Sequence, residues 1–194
     1  MRNFAEYYKE LLEWEGGEFQ ELISDWREDL IVEIQNDFQS AVNNSSLKGL
    51  TFVPNKTNQS AGNQLDVLVV NELNEHLKIF KIEKCSGSGY PDRILAKGDF
   101  KHIALEMKAT GDWNPKDSNR RVLTSSSINL RARFTAPVYH LICTVIYQKL
   151  TTELAKITAL RLDFVEPTTL VGVRFEAAVS HKILASGTHK SIVL

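Results

Sequence analysis

Cysteine is scarce in this chain: Cys85 and Cys143 are the only two among 194 residues. They stand in no metal-ligand spacing and make no disulfide framework, so a reducing compartment, the cytoplasm, is expected. The five histidines, at positions 76, 102, 140, 181 and 189, form neither His-x-His nor His-Glu-x-x-His, which argues against zinc. No apolar run approaches the ~20 residues of a membrane span. No basic segment followed by an apolar core opens the chain as a secretory leader would. A phosphate-loop run of the Gly-x-x-x-x-Gly-Lys type is missing too, which speaks against an ATPase. Internal repeats, low-complexity tracts and clear linkers are likewise absent. One α/β domain over residues 1–194, large enough for a full hydrophobic core, is the simplest organisation.

Charge is present in near balance, with a net value of −1, but it is unevenly placed. Residues 1–42 carry eleven acids against three bases, whereas Asp92 to Arg133 carries nine bases against five acids. A basic surplus of this kind marks where a polyanion would sit.

Apolar spacing organises the first part of the chain as helix. Phe4, Tyr7, Tyr8, Leu11, Leu12 and Trp14 suit an amphipathic helix from Asn3 to Glu15, ended by Gly16-Gly17. A longer helix is expected from Glu18 to about Val42, with Phe19, Leu22, Ile23, Trp26, Leu30, Ile34, Phe38 and Ala41 along one stripe. After an Asn43–Ser46 loop and the short apolar run Leu47–Val53 comes an amide-rich loop holding Asn58, Gln59, Asn63 and Gln64. A third helix, about Gln64 to Leu77, would bury Leu65, Leu68, Val69, Leu73 and Leu77.

Three strands should follow. Lys78–Lys84 reads as the first, leading through Cys85–Gly89. Asp92–Lys97 reads as the second, joined by a Gly98-Asp99 turn to His102–Thr110. In that last run Ile103, Leu105 and Met107 alternate with Ala104, Glu106 and Lys108, so Glu106 and Lys108 share a face. Antiparallel pairing brings Asp92 to the later part of the neighbouring strand. Two carboxylates and one ammonium would then meet. Hard carboxylate oxygens suit Mg²⁺, which keeps positions for water and a phosphate oxygen, and a lysine beside them can orient water or offset charge on phosphorus oxygens. The same three residues would also suit an exposed hairpin whose surface ion pair contributes little.

Pro91-Asp92 followed by Glu106-Met107-Lys108 resembles the signature of the PD-(D/E)xK nuclease superfamily, to which type II restriction endonucleases belong. The order of helices, then three strands with the acid on the second and Glu-x-Lys on the third, resembles its core. The resemblance implies a restriction-endonuclease-like α/β fold, a mixed β-sheet flanked by helices, with residues 1–45 a helical N-terminal part and 60–165 the catalytic core. It implies a Mg²⁺-dependent, sequence-specific endonuclease acting on double-stranded DNA as a homodimer, using one or two ions. Asp92 and Glu106 would be the metal ligands and Lys108 the water- or phosphate-contacting base. Glu33 and Glu72, acids on the long helices, are weaker metal candidates.

DNA contacts are expected from Asn58, Gln59, Asn63 and Gln64, and from the loop and short helix carrying Lys116, Asn119, Arg120, Arg121, Ser125, Asn129, Arg131 and Arg133. Amides and guanidinium groups are the side chains shaped to read base edges or hold phosphates. Further on, Val138–Leu150 has the composition of a central buried strand, with His140 a core residue. Ala155–Val165 reads as another strand, Thr169–Leu184 as strand or short helix, and the Ile192–Leu194 tail as a segment that packs or pairs with another subunit. A junction resolvase or repair nuclease, or a non-catalytic nucleic-acid or protein-interaction module, remain the competing function classes.

Overall fold

A computed structural model describes residues 2–14, 23–54, 58–85, 91–111, 122–124, 134, 137–175, 181–185 and 190–194. Its elements run β1 (Arg2–Asn3), α1 (Phe4–Trp14), α2 (Glu28–Asn44), β2 (Thr51–Phe52), α3 (Asn58–His76), β3 (Lys81–Lys84), β4 (Arg93–Lys97) and β5 (Phe100–Thr110). They continue with β6 (Val122–Thr124), β7 (Tyr139–Lys149), β8 (Ala155–Val165), β9 (Leu170–Phe175), β10 (His181–Ala185) and β11 (Lys190–Val193). The class is mixed α/β.

The larger sheet has the order β11-β8-β7-β5-β4-β3, with β2 also paired to β8. β3, β4 and β5 form an antiparallel meander. β7 then lies parallel to β5, and β8 antiparallel to β7. The β4–β5 turn has Gly98 at φ +56° in its first central position, the glycine-first pattern of a type II′ hairpin. A second sheet, β1-β9-β10-β6, is built from the chain's beginning and its later part.

Alternation sorts the larger sheet into two faces. Leu95, Ile103, Leu105, Met107, Leu141, Cys143, Leu162 and Phe164 join the main core, against which α2 lays Leu30, Ile34 and Phe38 and α3 lays Leu65, Val69 and Leu73. The other face holds Glu106, Thr110, His140, Thr144, Arg161 and Asp163, polar residues that are nonetheless buried. His140 is fully buried there, edge-on to Phe4 with ring centroids 5.0 Å apart.

Helix starts differ from the sequence pattern, each for a physical reason. α1 begins with a reciprocal capping box: the Asn3 N–H donates to Glu6 Oε2 at 2.9 Å and the Glu6 N–H to Asn3 Oδ1 at 2.8 Å. α2 starts at Glu28 rather than at Glu18. Ile23 instead bridges Val138 in parallel, and the Ser24 N–H donates to Val138 O at 2.8 Å. Trp26 packs on Tyr139 and Phe164 while its indole N–H donates to Val165 O at 3.2 Å. The apolar spacing thus continues through an extended, buried segment that periodicity alone does not separate from helix. α3 begins at Asn58, so the amides read as a loop belong to its first turns. Thr169–Leu184 contributes two strands, β9 and β10, paired antiparallel. The tail packs on its own sheet, Leu194 being buried with its N–H on Leu160 O at 2.8 Å.

Candidate metal-binding and catalytic site

The site forms where β4 begins and β5 approaches its end. Register sets Arg93 opposite Leu105, which carries Asp92 to Glu106. The backbone confirms the meeting: the Asp92 N–H donates to Glu106 Oε2 at 3.3 Å, while the Asp92 carbonyl accepts from the Cys85 N–H at 3.3 Å. Asp92 is therefore held from both neighbouring strands while the residue stays exposed. On β5, Lys108 Nζ donates to Glu106 Oε1. The Glu106 side chain is 4% exposed and that of Lys108 is 23% exposed, so the acid forms the floor and the ammonium lies nearer the rim.

Burial pushes the Glu106 carboxyl up to about 7; the Lys108 charge opposes that shift and the Asp92 charge adds to it. A buried carboxylate beside a second carboxylate is costly to ionise, and a bound dication would offset that cost. Among the described residues no three His, Cys, Asp or Glu side chains converge as a complete ligand cage. Two carboxylates fit an ion that binds through one or two acids and keeps several waters, as Mg²⁺ does.

α3 braces this end of the sheet. Arg93, next to Asp92, forks onto Asp66, with Nε–Oδ1 3.3 Å and Nη2–Oδ2 2.5 Å. Neither Asp66 nor Arg93 was singled out by the sequence pattern.

The two helix acids are engaged elsewhere. Glu33 pairs with Lys97 Nζ at 2.5 Å, and Lys97 lies about 17 Å along β4 from Asp92 at 3.3 Å per residue. Glu72 accepts from both the N–H and the hydroxyl of Ser46 at 2.8 Å; those bonds hold its carboxyl below the ordinary value. It anchors the α2–β2 connection.

Of the expected DNA contacts, Asn63 is exposed on α3 and Gln64 donates to Val53 O at 3.1 Å. Asn58 and Gln59 open α3, and their side chains lie outside the described residues. Lys116, Asn119, Arg120, Arg121, Ser125, Asn129, Arg131 and Arg133 lie outside them as well.

No family model and no curated protein matches the chain.

The site's geometry extends further than Glu-x-Lys. Across β7, Arg161 and Asp163 of β8 form a forked pair, with Nε 3.0 Å from both carboxylate oxygens and Nη2 2.7 Å from Oδ1. Register aligns Glu106 with Ile142 and Asp163, and Lys108 with Thr144 and Arg161. The buried pair had a sequence signal, charges two apart around Leu162 in an apolar run. Its partner strand did not.

Proposed function

We propose that the protein is a Mg²⁺-dependent endonuclease that hydrolyses phosphodiester bonds in double-stranded DNA, of the type II restriction kind, with a restriction-endonuclease-like core. The observation that carries this reading is the convergence of Asp92, buried Glu106 and Lys108 at one end of an antiparallel pair. The β3–β4–β5 meander supports it, with the acid beginning the second strand and Glu-x-Lys late on the third. The basic surplus between Asp92 and Arg133 supplies the charge that a polyanion requires. A cytoplasmic homodimer, cutting both strands of a twofold site, is the matching assembly.

Asp92 and Glu106 would hold the ion, which when bound supplies Lewis-acid polarisation of the phosphate and lowers the pKa of a bound water. Glu106 also fixes Lys108, keeping the ammonium beside the carboxylates. There Lys108 can orient the attacking water or hydrogen-bond a non-bridging oxygen as negative charge builds in the transition state. Water oxygen bonds to phosphorus and its proton passes to solvent, while the opposite ester P–O bond breaks and the departing oxygen takes a proton from solvent to leave as a hydroxyl. Asp92 is exposed, so its carboxylate would be accessible to substrate, while burial keeps Glu106 in place.

The test is digestion of plasmid and phage DNA with Mg²⁺, repeated with EDTA and with Lys108→Ala and Glu106→Gln. Discrete fragments, lost in all three controls, are expected. Cleavage confined to branched DNA would instead assign a junction resolvase. Unchanged DNA over varied substrates and metals would sink the enzyme reading.

A further inference from the structure

On the large sheet's polar face, two charged pairs lie side by side in opposite strand directions. β5 presents Glu106 then Lys108, and β8 presents Arg161 then Asp163. Because β7 and β8 are antiparallel and β5 and β7 parallel, the acids fall in one row and the bases in the next. The basic row reads Lys108, Thr144, Arg161, with neighbouring strands about 4.8 Å apart.

Thr144 occupies the middle of that row. Its side chain is fully buried and its hydroxyl has no hydrogen-bond partner among the described residues. A buried hydroxyl without a partner is uncommon and costs free energy. In the row it stands between two longer cationic side chains, 23% exposed for Lys108 and 10% for Arg161. Asp163 holds the Arg161 guanidinium by Nε and Nη2, which sets its plane. A short donor between two cations suits a tetrahedral anion, whose oxygens accept from all three.

Resting on the nuclease reading of the adjacent carboxylates, we infer that Thr144 and Arg161, with Lys108, form a subsite for a phosphate group of the DNA backbone. The acid row would hold the cation and the basic row a phosphate next to it. The shared chemistry also admits free inorganic phosphate, and the test separates the two sources.

Binding of a fluorescently labelled DNA duplex is measured by anisotropy in EDTA, where no cleavage intervenes, across a series of salt concentrations. Thr144→Val should weaken duplex binding about tenfold, the loss of one charge-assisted hydrogen bond, with the salt slope unchanged. Thr144→Ser should bind as wild type. Arg161→Gln should lower the slope of log K against log salt by about one. Thermal unfolding of Thr144→Val should match wild type, since no protein partner is lost. If Arg161→Gln fails to fold because it strands Asp163, the two Thr144 variants decide. Thr144→Val binding as tightly as wild type overturns the subsite, and wild-type cleavage of DNA in that case leaves the nuclease reading standing. Conversely, a wild type that neither binds nor cuts DNA, yet shows Thr144-dependent binding of inorganic phosphate by ³¹P NMR, supports a phosphate site and sinks the nuclease reading.

Discussion

Glu106 concentrates the physics of the site in one side chain. Its carboxyl is raised from the ordinary 4.5 to about 7, so the folded chain binds a proton there that the unfolded chain has already released. The resulting stability is full below about 4.5 and is lost as pH rises through about 7. In EDTA, urea unfolding should therefore show stability falling by on the order of 3 kcal/mol across that window. Glu106→Gln should remove this fall, and parallel pH curves for the two proteins would show that Glu106 is not the titrating group. The nearby Cys143 thiol is pushed up to about 12 by burial, so at neutral pH it is a neutral core residue rather than a nucleophile.

Elements are tied to one another by a few polar side chains that the periodic pattern does not mark. Asp37 lies on α2 and is buried, accepting from the N–H groups of Lys78, Ile79 and Phe80 at 3.0, 3.0 and 2.9 Å. It thereby fixes the entry into β3. Asp37→Ala strands three donors and should cost about 3 kcal/mol in urea unfolding; a loss below about 0.5 kcal/mol would mean that water replaces the carboxylate. In sequence, Asp37 is one more acid beside an apolar stripe, indistinguishable from half-buried Glu33 until the loop before β3 folds back over α2. The start of α2 shows the same limit in reverse. Ile23 and Trp26 keep helical spacing because both are buried, yet the bridge to Val138 and the Trp26 indole bond to Val165 hold that stretch extended.

At the scale of the whole molecule, the proposed function links folding to ion binding through the site. Because burying Glu106 next to Asp92 penalises the ionised form, Mg²⁺ should stabilise the native chain. Calorimetric unfolding should show a gain of about 2.7 kcal/mol at a hundredfold excess over Kd. That gain should be larger at pH 8 than at pH 5, where protons compete for the carboxylates. Glu106→Gln should lose it. An equal effect of Mg²⁺ on both proteins would place the ion elsewhere.

Local sequence determined the site's nearest relations. Alternation in His102–Thr110 set Glu106 and Lys108 on one face, and the Gly98 turn started the antiparallel pairing, because both depend on residues close along the chain; the one-residue register shift between Leu95 and Lys97, which no sequence pattern marked, is what carries Asp92 to Glu106. Tertiary structure alone decided the rest. The placement of β7 parallel to β5 depends on a long connection, and the alignment of Thr144, Arg161 and Asp163 with Glu106 and Lys108 follows from that placement. The second sheet, which joins Arg2–Asn3 to β9 from Leu170 onward, is likewise a long-range pairing. Pairing across such separations is chosen by the packing of the whole core, and no local pattern carries it.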